Sequence, residues 1–140
     1  MLWTWDPTSA VTLLRLEHEL LDNQWQALQR TIDHSATMSF IHECILTQFM
    51  FMCGHFRSEE RFMREVSYPA YEAHRAEHDV FINEIGSFLI HLSASSQSWP
   101  EATECLYAWI NRHNREHDGE LGRFAARLVC SEATFEPPSN

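Results

Sequence analysis

Three pairs of side chains in this sequence are spaced to aim two ligand atoms at one point: His55 with Glu59, His74 with His78, and His113 with Asp118. Residues four apart on a helix share a face, one turn apart, so the first two pairs each present two donors together. The third pair is one residue wider. His18 sits on an apolar stripe with Leu14, Leu21, Trp25, Leu28 and Ile32 and adds a fifth imidazole. Imidazole and carboxylate donors without thiolate suit iron, manganese or zinc. Seven donors exceed the four that a tetrahedral zinc takes, so the set fits two metal ions with the carboxylates bridging them.

Helices must bring these donors together. Apolar residues recur at helical spacing almost throughout. The pattern predicts helices over about residues 10–32, 40–65, 70–92 and from Ser98 to near Leu128. Ser35–Ser39, Ser67-Tyr68-Pro69 and residues 93–98 read as connections. Pro69 suits a first helical position, and Ser98 with Glu101 has capping-box spacing. Strand signals are absent, so the expected fold is all-α: an antiparallel up-down-up-down four-helix bundle. Residues 1–9, with Trp3 and Trp5, are expected to form an N-terminal arm along a bundle of residues 10–130. Residues 131–140 read as a tail or the start of a linker.

Antiparallel geometry tests whether the donors meet, because residues equally far from a turn face each other. His18 lies 17 residues before Ser35 and His55 lies 16 after Ser39. His78 is 15 before Ser93, and His113 is 15 after Ser98. Glu59 is 8 before Ser67, and His74 is 5 after Pro69. With a rise of about 1.5 Å per residue, all the candidates fall at one level. Trp25, only 10 residues before Ser35, would sit about 10 Å from that level and is assigned to the core.

Composition removes several function classes. The 140 residues carry 10 Lys plus Arg against 20 Asp plus Glu, a net charge of −10. All the basic residues are Arg. Such a chain is unsuited to nucleic acid or to an anionic membrane surface. Without lysine there is neither a Schiff-base residue nor a phosphate-loop lysine. No apolar run approaches the roughly 20 residues of a membrane span, and residues 1–9 lack the pattern of a secretory signal. Cys44, Cys53, Cys105 and Cys130 form no C-x-x-C pair. They read as reduced core thiols of a cytoplasmic protein. Among the remaining histidines, His34, His42, His91 and His117 have no partner at ligand spacing and read as surface residues, with His117 placed beside Asp118. Phe49, Phe51, Phe56, Phe62, Phe81, Phe88, Trp109 and Phe124 read as core. Glu60, Arg61, Arg64, Glu65, Arg112, Arg115, Glu116 and Arg123 read as solvated helix faces.

The segments His55-Phe-Arg-Ser-Glu59-Glu-Arg-Phe-Met63, Tyr68-Pro-Ala-Tyr-Glu-Ala-His74-Arg-Ala-Glu-His78 and Trp109-Ile-Asn-Arg-His113, followed by Asp118, resemble the hemerythrin family, and bacteriohemerythrins in particular. The resemblance implies a non-haem di-iron site that binds O2 reversibly. It implies His74, His78 and His113 on one iron, and His18 and His55 on the other, which keeps an open position. Glu59 and Asp118 would bridge the two beside an oxo or hydroxo group. By position beside the ligands, Leu21, Phe56, Trp109, Ile110 and Asn114 are expected to line the O2 pocket. Asn114 departs from the family, where many members have an apolar residue.

The resulting expectation is an O2-binding rather than catalytic domain, with NO, azide or other small anions as further ligands. An O2 or redox sensor at the N-terminus of a signalling protein, such as a chemoreceptor or diguanylate cyclase with a C-terminal output domain, is the first reading. A stand-alone carrier or store that delivers O2 to an oxygenase is the second. A di-iron peroxidase, NO-handling or iron-detoxifying protein is the third.

Overall fold

The computed structural model describes residues 7–33, 37–91 and 99–133. Among them there is no strand. Four helical rods account for nearly all of these residues. The first is α1 (Pro7–Asp33) and the second α2 (Met38–Glu65). The third joins α3 (Tyr71–Val80) to α4 (Gly86–His91) through a π-helical turn at Phe81–Ile85. The fourth joins α5 (Trp99–His113) to α6 (Gly119–Ala133) through a second π-helical turn at Asn114–Asp118. α1 packs on α2 and α6, and α2 packs on α3 and α5. No described helix is long and apolar enough to cross a membrane.

Local chemistry explains where the rods begin and end. α1 starts at Pro7, three residues before the expected boundary. Proline suits a first helical position because its fixed φ is helical and its missing N–H is not needed there. The arm's Trp3 and Trp5 lie outside the described residues, as do the 93–98 connection, Ser98 of the capping box, and His34. α2 starts at Met38 rather than Phe40 because the Thr37 hydroxyl accepts from the Phe40 N–H at 3.2 Å, an N-cap. Pro69 is not the first residue of α3. It stands inside a turn closed by the Tyr71 N–H donating to the Tyr68 carbonyl at 3.1 Å, where proline's fixed φ is equally favoured. α6 continues to Ala133, past the expected end near Leu128.

The two π-turns are departures from the uninterrupted helices expected, and they set side-chain directions. In a regular helix, residues five apart point roughly 140° away from each other. An i→i+5 turn absorbs the extra residue, so Asp118 returns to the His113 face. After the first π-turn, Gly86 lies against Phe49: a Cβ there would come 2.8 Å from the Phe49 Cζ.

The core is two apolar clusters. One holds Trp25, Leu28, Ile45, Met52, Phe56, Phe81 and Leu106. The other holds Phe62, Met63, Tyr68, Leu121 and Ala125. Phe51 was expected in the core but is exposed, as it falls on the rim of the α2 face. The cysteines differ from expectation too: Cys44 and Cys53 are half-buried and Cys105 and Cys130 exposed, all as free thiols, because the larger apolar side chains fill the interior.

α2 ends in a tight turn. The Ser67 N–H donates to the Arg64 carbonyl at 3.2 Å and the Tyr68 N–H to the Met63 carbonyl at 2.9 Å, while Tyr68 packs in the same cluster as Met63. This is the Schellman arrangement, whose left-handed position favours glycine. Ser67 occupies it at φ 53°. Ser67→Gly is expected to stabilise the domain by about 1 kcal/mol, seen as a higher midpoint in thermal unfolding; an unchanged or lower midpoint would show that Ser67 carries no strain.

Candidate metal centre

The seven donors expected from the sequence converge. His18 comes from α1, His55 and Glu59 from α2, His74 and His78 from α3, His113 from α5, and Asp118 from the second π-turn. They form two overlapping groups, Glu59–His74–His78–His113–Asp118 and His18–His55–Glu59–Asp118, each with ligand atoms within 4.8 Å of one another. They occupy a polar layer: Phe62, next along α2 on the Glu59 side, belongs to one apolar cluster, and Phe56, beside His55, to the other.

Each carboxylate divides its two oxygens between the two groups. Glu59 Oε1 lies 3.0 Å from His18 Nε2 and 2.7 Å from His55 Nε2. Glu59 Oε2 lies 3.1 Å from both His74 Nε2 and His78 Nε2. Asp118 Oδ2 is 3.4 Å from His18 Nε2, whereas Oδ1 is 3.1 Å from His74 Nε2 and 3.2 Å from His113 Nε2. All five imidazoles therefore turn Nε2 inward.

These spacings fit shared cations. Two ligands each about 2.1 Å from one ion at right angles stand about 3 Å apart. His55 Nε2 and Asp118 Oδ1 are buried without a hydrogen-bond partner despite their close neighbours. Their geometry fails as hydrogen bonding and suits donors around a common ion. The His78 and His113 Nε2 atoms approach to 3.2 Å, a spacing that two donors of one cation also adopt.

Outer contacts fix the rings. The His55 Nδ1–H donates to Glu17 at 2.5 Å, and the Ser58 hydroxyl holds the other Glu17 oxygen at 3.1 Å. The His78 Nδ1–H donates to Glu60 at 3.0 Å. A proton on Nδ1 leaves the Nε2 lone pair free for a metal. Phe56 stacks on His78 with centroids 4.0 Å apart, and Trp109 stacks on His113 at 4.6 Å. Glu60 is thus no merely solvated residue, and Glu17 was not anticipated. Both follow a simple signal, a carboxylate adjacent in sequence to a ligand and turned toward the neighbouring helix. His117 is half-buried rather than on the surface: its ring stacks on His113 at 5.4 Å, and it lies 3.7 Å from Glu77. His42 is likewise half-buried, and the His91 side chain lies outside the described set.

A cavity of about 30 Å³ adjoins the four-donor group. Leu21, Phe56, Ile110 and Asn114 line it as expected. Trp109 is not among its lining residues; its ring is committed to stacking on His113 and to packing against Phe81 at 4.5 Å. Sequence reading missed Gln48, Met52, Tyr107 and Asn111 as walls of this cavity.

The charges explain the titration. Burial pushes the His55 imidazolium pKa down, but the hydrogen bond to Glu17 and the Glu59 carboxylate beside Nε2 outweigh it and raise it to about 10. His74 is likewise lowered by burial but raised, on balance, to about 9 by Asp118 and Glu59. Burial dominates at His113 and lowers its pKa. Glu59 is buried, which opposes ionisation, yet four imidazoles hold its carboxyl well below the usual range. Asp118 is also lowered, burial and the Glu59 charge being outweighed by His113 and His74.

A buried His/Glu/Asp donor cluster inside an all-helical protein defines a metal-binding helical domain. The chain belongs to the hemerythrin family: the family described as Hemerythrin HHE cation binding domain matches residues 9–125. The chain is 25% identical over 122 residues to a bacteriohemerythrin of Stenotrophomonas maltophilia (strain R551-3), covering 84% of this chain and 76% of that protein. It is 22% identical over 121 residues to a bacteriohemerythrin of Pseudomonas aeruginosa (strain LESB58), with the same coverage of each. No solved structure matches the chain.

Two outcomes follow from this geometry. In the metal-free protein at pH 7, below the raised values of about 10 and 9, His55 and His74 hold protons while Glu59 and Asp118 are ionised. Metal loading at pH 7 is therefore expected to release protons, about two per chain, and to weaken as pH falls. Calorimetry in buffers of different ionisation enthalpy measures this, and loading without proton release would contradict the charge balance. His78 is wholly buried. His78→Ala should lose bound metal and lower the thermal midpoint by about 10 °C; full metal content with an unchanged midpoint would remove His78 from the donor set.

Proposed function

We propose that this domain holds two iron ions and binds O2 reversibly at the ion on the His18–His55 side, within an up-down-up-down bundle of a cytoplasmic protein. The observation that carries the reading is the division of Glu59 and Asp118 between the two imidazole groups. One group has five donors and the other four, and the four-donor group borders the small cavity. Charge supports two ions. Glu59, Asp118, Glu17 and Glu60 place four negative charges on or against the imidazoles, which two divalent cations neutralise. The carboxylate–imidazole donor set without thiolate suits iron, although manganese or zinc shares that preference.

Iron bound there supplies the electrons that reversible O2 binding requires. The chain's own residues do the rest. Glu17 and Glu60 set the imidazole tautomers, Phe56 and Trp109 hold ring planes by stacking, and Leu21 and Ile110 keep part of the cavity apolar.

A sensor of O2 or redox state, coupled to an output domain, is the setting we infer over carriage or delivery to an oxygenase. The polar part of the cavity wall favours it: Gln48, Asn111 and Asn114 give water a foothold beside the four-donor group. Water and small anions such as azide compete there, and an easily oxidised centre reports redox state better than it stores O2.

Iron per chain and the visible spectrum of anaerobically reduced protein, before and after O2, test the proposal. Two irons and an absorption band that appears with O2 and fades on degassing are expected. One iron, or a spectrum indifferent to O2, would overturn it. Asn114→Ile should slow autoxidation several-fold; a rate equal to the parent's would remove Asn114 from the path of water.

A further inference from the structure

The cavity beside the four-donor group is separated from an outer cleft of about 460 Å³ between α1 and α5. Among the described residues, two line both spaces, Trp25 and Tyr107. Their rings are stacked, with centroids 5.4 Å apart and planes 4° from parallel. Asp22 and Asn111, both exposed, line the cavity but not the cleft.

The two shared residues differ in freedom. Trp25 is 5% exposed and belongs to the apolar cluster with Leu28 and Ile41. Tyr107 is 44% exposed and stands outside that cluster. Exposed side chains change rotamer in picoseconds to nanoseconds, and a single aromatic stack is a weak restraint. Tyr107 is not in the donor set, so its rotation away from Trp25 would remove part of that shared lining without displacing a donor. The second approach is a groove of about 420 Å³ between α1 and α6. The wall it shares with the cavity is His18, Asn114 and Asp118. Two of those three are in the donor set, and the groove also borders Glu59, so it meets the centre on the donors' outer side rather than through the cavity.

We propose that Tyr107, swinging against a fixed Trp25, is the gate through which O2 and small anions reach the four-donor side. This assignment rests on the ligand-binding reading above. A gate lowers the barrier in both directions and leaves the end states alone, so it changes the rates of entry and exit by one factor and leaves Kd unchanged. A residue that stabilises bound ligand would change Kd.

The test is stopped-flow binding and release on the metal-loaded full chain, with O2 on the reduced protein and azide on the oxidised protein. Tyr107→Ala should raise association and dissociation rates together, about fivefold or more, with Kd constant. Tyr107→Trp should lower both. Gly122→Leu fills the other groove, where a Cβ meets nothing within 4 Å, and should leave the rates as in the parent. Unchanged rates in both Tyr107 variants would overturn the gate, as would slowing by Gly122→Leu alone, which would place entry between α1 and α6. A change confined to Kd would make Tyr107 a ligand-stabilising residue instead. A parent that binds azide but not O2 overturns the O2 reading and still tests the gate through azide; a parent that binds neither overturns both.

Discussion

A carboxylate that is 1% exposed governs this fold. Glu59 stands among four imidazoles from three helices, α1, α2 and α3. An ionised carboxylate without partners in such a place would cost tens of kcal/mol. The structure offsets this with converging nitrogen donors, yet neutral imidazoles bring no positive charge. Compensation comes from protons on some histidines or from cations between the donors, and the arrangement of Nε2 atoms suits cations. The charge requirement thus couples the rods: α1, α2, α3 and the fourth rod each contribute to one electrostatic unit. Removing a donor disturbs folding and metal binding through the same interaction.

The apolar clusters on either side make that unit more effective. Phe62 and Met63 cover the layer on one side and Phe56 and Phe81 on the other, which leaves water the His18 side. Lower effective dielectric strengthens each carboxylate–cation attraction and raises the cost of an unpaired charge. The same aromatic side chains orient the ligands, as Phe56 does for His78 and Trp109 for His113. Core packing and ligand positioning are here the same contacts.

The donors were legible in the sequence because helical periodicity converts spacing into direction. His55 and Glu59, or His74 and His78, need only a regular helix to share a face. His18 could be preferred over Trp25 by counting residues from a turn, and the structure places Trp25 in the apolar cluster and His18 in the donor group. The five-residue gap from His113 to Asp118 marked a π-turn that was not read, because propensity and apolar pattern barely distinguish one inserted residue from a continuous helix. Glu17 and Glu60 escaped for a different reason. Their partners, His55 and His78, lie on neighbouring helices, so adjacency to a ligand flags each carboxylate in sequence but does not name its partner until the interhelical rotation is fixed. Trp109 was misplaced because adjacency to a ligand in sequence does not decide whether a ring lines a cavity or stacks on the ligand.

The two faces of the His18 group expose a conflict that the fold settles by dividing labour between helices. Reversible ligand exchange needs access, while a stable buried charge cluster needs exclusion of water. His18 is the most exposed donor, with 32% of its side chain accessible, against 1% for His74. Flexibility placed at the donors would loosen the carboxylates that unite the rods. A rotating side chain at the cleft wall leaves those carboxylates fixed. Binding rate and metal retention then depend on different residues, so sequence change at Tyr107 can tune the first while the Glu59–Asp118 framework preserves the second.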